Sequence, residues 1–259
     1  MRATLLSLTL LFVCFASPAF GQKFLQKPYT EWSVDEVKKL LNEAPWSNQY
    51  QSESGLQASA LEQGAREQAD NRLSGSDRGN MGRGNVPAPV IIQLYSALPL
   101  RQALVRSRQI GAKYEKLNAD DKAKFDASTA GMLECKLCKD YYIITLTKTK
   151  DKSERIDDGI FQTLTLENLK GKIWLANDKE EKLDLFQFTP PKGAGESAVF
   201  FFKRNKEDGK PFFSEADKEI KFLFANELRA PNNNAYAILI PRSFDFKVAK
   251  MIVDGKLAF

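Results

Sequence analysis

Val90-Ile91-Ile92-Gln93-Leu94-Tyr95-Ser96 is apolar on both faces apart from Gln93, the pattern of a strand covered on both sides. The residues after it place the rest of the chain. Pro99 opens an amphipathic helix expected near Leu100 to Leu117, at a first-turn position where its missing N–H costs nothing. Leu100, Ala103, Leu104, Ser107, Ile110, Gly111, Tyr114 and Leu117 share one face at helical spacing. Asn118 caps a second helix, with Asp120 and Asp121 well placed against its dipole and Phe125, Thr129, Met132 and Leu133 as its inner face. Cys135-Lys136-Leu137-Cys138 follows, and Tyr141 to Thr147 closes the unit as a strand.

Downstream the pattern is β. Of the 18 phenylalanines, 13 lie between Phe161 and Phe259. Strands are expected at Lys172–Ala176, Lys182–Phe188, Ala198–Lys203, Glu219–Phe224, Tyr236–Ile240 and Phe244–Val248. Thr165 to Gly171 reads as a capped turn of helix ended by glycine. Phe244, Phe246 and Val248 alternate, which gives one buried and one wet face, whereas Val199 to Phe202 is apolar on both faces and belongs in the middle of a sheet. Asp254-Gly255 makes a last turn, so Lys256 to Phe259 is expected to pair back onto the sheet. The polar loop Pro231-Asn232-Asn233-Asn234 is the expected ligand-facing tip.

Upstream, Ser33 and Glu36 form a capping box, flanked by Trp32 and Val37 as a hydrophobic staple. Val34, Val37 and Leu41 are the expected inner face of that helix, and Pro45 ends it. Packing on the main body through Trp32 and Trp46 is the reading chosen over a free docking helix. Residues 47–89 are a polar stretch holding 6 of the 15 glycines, and read as a flexible linker. Arg2, the apolar run Leu5 to Ala16, and the small pair Ala19 and Gly21 read as a secretory signal over residues 1–21. The run is too short for an ordinary transmembrane helix, and Val13 argues against lipidation at Cys14. The expected divisions are therefore the signal at 1–21, a capped-helix segment at 22–46, the linker at 47–89 and an α+β domain at 90–259. The last comprises a strand-helix-helix unit (90–148) and a β region (149–259).

Histidine is absent from all 259 residues, which removes Ser-His-Asp and Cys-His catalysis and histidine-ligated zinc. The net charge of +5 is too mild, without a basic stripe, to argue for nucleic acid. No Walker loop, dinucleotide fingerprint, nucleophile elbow or EF-hand loop occurs. No cofactor is expected. Four readings of Cys135 and Cys138 compete: zinc, haem attachment, a thioredoxin-type redox pair and a structural disulfide. Zinc needs two further ligands, haem attachment needs a histidine where Lys139 stands, and a redox pair belongs after a strand at the start of a helix. A structural disulfide is the expectation. Arg101 and Arg108 on one side of the helix, with Arg106 and Lys113 on the other, form the candidate binding surface for an envelope or extracellular partner, an anionic polymer among the candidates.

Trp32-Ser33-Val34-Asp35-Glu36-Val37 leading to Pro45-Trp46, then Ser96-Ala97-Leu98-Pro99-Leu100-Arg101-Gln102-Ala103, then Lys250 to Leu257, resemble a group of uncharacterised secreted bacterial proteins. A looser likeness to the GWxTD-domain proteins fails at its name motif. The resemblance implies export and transfers no site residue. The expected fold is α+β, a helical N-terminal part followed by an antiparallel β-sandwich-like C-terminal region. The expected function is an exported, periplasmic or secreted, non-catalytic binding or scaffold protein with no membrane span after signal cleavage. A histidine-free carboxylate-based glycan hydrolase and a thiol-disulfide protein using the cysteine pair are the alternatives. N-terminal sequencing of the exported protein is expected to begin at Gln22, and a mature chain that retains residues 1–21 overturns the signal reading.

Overall fold

Ser33 starts α1 (Val34–Asn42) by accepting a hydrogen bond from the Glu36 N–H at 3.2 Å, while the Glu36 carboxylate accepts from the Ser33 N–H at 2.8 Å. Two amides that the first turn leaves without helical partners are thereby satisfied. The buried face is Val37 and Leu40, with Leu41 half-buried; Val34, expected inside, is 46% exposed. A first-turn residue projects outside the strip where Val37 and Leu40 meet the body. Trp32 and Trp46, before and after the helix, are fully buried. The Trp32 ring meets Phe24 edge-on at 5.8 Å, and its indole N–H donates to the Phe24 carbonyl at 3.0 Å.

The computed structural model describes residues 23–43, 45–50, 90–148, 159–193, 195–229 and 241–259. The expected signal, most of the linker, the Tyr236–Ile240 strand and the Pro231–Asn234 loop lie outside them. The linker's first residues are a finding. Ser47–Tyr50 is β1, paired antiparallel with β2 (Val90–Leu94), Ser47 opposite Gln93 and Tyr50 opposite Val90. An edge strand needs backbone pairing more than apolar side chains, so its polar sequence concealed it.

β2 pairs with β3 (Tyr141–Lys148). Between them run α2 (Leu98–Gly111), with Pro99 in its first turn, and α3 (Ala119–Glu134), capped by Asn118, whose side-chain oxygen accepts from the Asp121 N–H at 2.8 Å. α2 is shorter than expected. Lys113 takes left-handed backbone (φ 52°) and a 3-10 turn, Tyr114–Lys116, follows, which moves Tyr114 and Leu117 off the helix face. α4 (Gly159–Thr163) and α5 (Leu166–Leu169) come next, the latter held by a Thr165–Asn168 capping box and followed by Gly171 at φ 69°.

The β region forms two antiparallel sheets. With β4 (Ile173–Asn177), β5 (Lys182–Asp184), β6 (Gln187–Thr189), β7 (Ala198–Lys203), β8 (Glu219–Phe224) and β9 (Ser243–Lys247), the orders are β1-β2-β3-β7-β6 and β5-β4-β8-β9. A short helix, α6 (Asn226–Arg229), follows β8. The stretch expected as one strand at Lys182–Phe188 divides. Its first half joins the smaller sheet and its second half the larger, with Leu185 and Phe188 buried on either side of the crossing. The end of the chain does not pair onto either main sheet. β10 (Ile252–Val253) and β11 (Lys256–Leu257) form their own ribbon, tied to α2 by the Leu98 N–H donating to the Ala258 carbonyl at 2.9 Å.

The sheets face each other through phenylalanines. Phe222 of β8 lies 5.2 Å from Phe200 and 6.0 Å from Phe202 of β7, ring to ring, and all of them are fully buried. Alternation sets this arrangement. β7 turns Ala198, Phe200 and Phe202 inward, and β8 turns Ile220, Phe222 and Phe224 inward. Phe222→Ala is expected to cost about 3–5 kcal/mol of unfolding free energy, and Ser33→Ala about 1 kcal/mol, both read by urea denaturation.

Candidate functional site

Pro99 and the opening turn of α2 direct Arg101 beneath the end of α3. The side chain is 6% exposed. Its guanidinium donates to the carbonyls of Met132, at 3.1 Å, and Leu133, and reaches the Ser96 carbonyl at 3.4 Å. The last carbonyls of a helix have no partner within it, and a cation there meets the negative end of the helix dipole. Arg101 is thus an internal cap for α3. Its Nε–H has no acceptor, and it forms no ion pair among the described residues. Burial holds its pKa below the ordinary arginine value, with Tyr95 acting in the opposite sense.

Arg106 is equally committed. Its Nε donates to the Trp32 carbonyl at 3.1 Å, and Nη1 donates to the Glu115 carboxylate at 2.7 Å and to the Gln109 side-chain amide oxygen at 3.3 Å. The hydrogen bond from Arg106 holds Glu115 below the usual carboxylate range. Arg108 and Lys113 are exposed. The expected four-residue basic surface is therefore corrected. Arg101 and Arg106 point into structural hydrogen bonds, because their long stems reach helix ends and loop carbonyls that lie beside α2 only in the folded chain.

The sulfurs of Cys135 and Cys138 stand 1.95 Å apart, with Cα atoms separated by 5.4 Å, and both residues are buried. The pair closes the 3-10 turn Lys136–Lys139 between α3 and β3, the context expected from sequence. Cys135 takes left-handed backbone (φ 39°) as the C-cap of α3 and donates its N–H to the Gly131 carbonyl at 3.0 Å. No cluster of three or more metal-ligating side chains occurs among the described residues.

Arg204, just past β7, was not singled out in the sequence, where it stands as one cation in a basic, acidic and turn-rich run. Its guanidinium lies 4.6 Å from the Tyr142 ring and donates to the Phe259 backbone oxygen at 3.0 Å. Its Nε–H also lacks an acceptor, and burial lowers its pKa. Arg101 and Arg204 line one cleft of about 720 Å³. The start of α2 forms one wall with Ser96, Leu98 and Pro99, the disulfide turn forms another with Glu134 and Lys139, and the β10–β11 ribbon supplies Val253, Asp254 and Leu257. A neighbouring recess of about 530 Å³ shares Arg204, Leu257 and Phe259. The lining combines the cations Arg101, Lys139 and Arg204 with the acids Glu134 and Asp254 and with apolar side chains such as Leu98, Val253 and Leu257. Such a cleft suits an anionic group carried on an apolar body.

Comparison of the chain with family models, with curated proteins and with solved structures finds no match.

Arg101→Leu removes the donor to two helix-end carbonyls and is expected to cost about 1–3 kcal/mol. Arg108→Leu, on the exposed flank of the same helix, is expected to stay within about 0.5 kcal/mol of the parent. Chemical denaturation of the two variants side by side checks the contrast, and equal losses sink the capping assignment.

Proposed function

We propose that this chain is an exported, non-catalytic binding or scaffold protein of the bacterial cell envelope or secretome, and that the cleft beside Arg101 receives an anionic group of its ligand. One observation carries the reading: a nine-tenths-buried arginine with an unpaired N–H and no ion-pair partner among the described residues lines the larger cleft. Taking a cation out of water is costly unless something of opposite charge meets it. The helix-end carbonyls supply only part of that compensation. Arg204, with its own unpaired N–H, adds a second desolvated cation to the same lining.

Five carboxylates outside the cleft have a pKa displaced from the ordinary value. Glu36, Glu115, Asp178, Glu181 and Glu219 are all displaced downward, each first by a hydrogen bond: from Lys27, Arg106, the Lys218 backbone, Asn177 and Lys247 respectively. A glycosidase acid requires displacement in the opposite direction.

Isothermal titration of the mature protein with benzoate and with inorganic phosphate tests the reading. Saturable binding is expected for at least one of them, weakened about tenfold in Arg204→Gln, the loss of one charge-assisted hydrogen bond. Lack of binding by both anions overturns the cleft assignment. Turnover of a glycan or ester that is lost in Glu134→Gln or Asp254→Asn overturns the non-catalytic one.

A further inference from the structure

The register of the larger sheet sorts its side chains. Tyr142, Ile144, Phe200 and Phe202 face the smaller sheet, so their neighbours Tyr141, Ile143, Val199 and Phe201 face outward. The disulfide turn covers Ile143, while Tyr141, Val199 and Phe201 remain half-buried. Gln187 lies opposite Phe201, Thr189 opposite Val199, and Lys203 opposite Tyr141, all therefore on this outward face.

Phe186 completes it. The chain crosses between sheets here, and the Phe186 N–H donates to the Phe201 carbonyl at 2.9 Å, which holds the residue at the sheet's margin. Its ring stacks on Tyr141 at 5.3 Å with the planes 23° apart, and Phe201 meets Tyr141 edge-on at 6.0 Å. Phe186 is nonetheless 42% exposed. A phenylalanine left this open, aligned with a tyrosine, presents a flat ring surface to solvent. The Lys203 ammonium sits 4.8 Å from the Phe186 ring centre. Lys203 is exposed and forms no ion pair among the described residues.

An apolar patch shaped for a second copy of the chain would be a continuous hydrophobic surface with a polar rim. Here the hydrogen-bonding side chains Gln187, Thr189 and Lys203 are interleaved with the rings. That spacing suits a partner that is itself alternately apolar and polar, such as a sugar ring, which has a C–H face and hydroxyl edges. The unpaired Lys203 adds a preference for negative charge. The compartment expected from residues 1–21 lies outside the cytoplasm, where acidic polysaccharide is a more accessible polyanion than nucleic acid. We infer that the outward face of the five-stranded sheet, centred on Tyr141, Phe186 and Lys203, binds an acidic polysaccharide. Its sugar rings stack on the aromatic pair and its carboxylates meet Lys203. Tyr141, Phe186 and Lys203 do not line the Arg101 cleft, and the proposal does not depend on it.

Affinity electrophoresis of the mature protein tests this, using gels containing polygalacturonate, dextran or single-stranded DNA. Retardation by polygalacturonate alone is expected, falling with added salt. Phe186→Ala and Tyr141→Ala are each expected to weaken it roughly tenfold, the scale of one lost stacking contact with its covered area. Lys203→Glu is expected to abolish it, with circular dichroism unchanged in all three. Equal retardation by dextran, stronger retardation by DNA, or retardation that survives Phe186→Ala and Tyr141→Ala each overturns the proposal. So does a concentration-dependent dimer that Lys203→Glu leaves intact and Phe186→Ala dissolves, since it assigns the rings to self-association.

Discussion

The packing of Phe222 against Phe200 and Phe202 is the contact on which the rest of the structure depends. It joins a sheet whose strands lie between Ser47 and Lys203 to a sheet whose strands begin only at Ile173. Phe188, Phe224 and Phe244 extend the same seam, so the interior is a run of rings meeting mostly edge-on. Such rings fill a sandwich interior with large apolar area and few voids. The crossing between β5 and β6 follows from this constraint. Leu185 in the connection and Phe188 in β6 are both buried, which the bend between the sheets allows.

Polar ties hold the helices to that frame. Ser47 donates its hydroxyl to the Leu40 carbonyl at 2.8 Å, and the Gln93 amide donates to the Leu41 carbonyl at 2.8 Å, so the end of α1 is fastened to β1 and β2. Arg106 fastens the start of α1, and Arg101 the end of α3. Ser47, Gln93 and Arg101 satisfy carbonyls that a helix C-terminus leaves open, and Arg106 holds the Trp32 carbonyl just before α1. Two cations that on sequence looked available to a partner are therefore used inside the molecule. The surfaces proposed for recognition are the cleft beside them and the outward aromatic face of the larger sheet.

The disulfide turn has a place in both proposed surfaces. Cys135 and Cys138 line the cleft, and they also cover Ile143 on the outward face of the sheet. A closed loop of this length holds little chain entropy, so its contribution is mainly to position the turn. It keeps Lys139 beside the cleft and anchors the end of α3 over Arg101.

Local signals were legible along the chain. The Ser33, Asn118 and Thr165 caps, the strands at Ala198–Lys203 and Glu219–Phe224, and the cysteine pair between helix and strand all depend on near neighbours in sequence. The α+β class with an antiparallel sandwich follows from those elements and from the clustering of phenylalanine. Other features required the folded chain. β1 is polar and is made a strand by pairing with residues some forty positions away. The division of Lys182–Phe188 reflects two sheets competing for one apolar run. The commitment of Arg101 to carbonyls 31 and 32 residues downstream, and the meeting of Arg204 with the same cleft, are set by which ends come together. A side chain's periodicity and capping chemistry are written within a few residues of it, whereas the partner of a long, flexible cation is chosen by distance in space, which only tertiary packing decides.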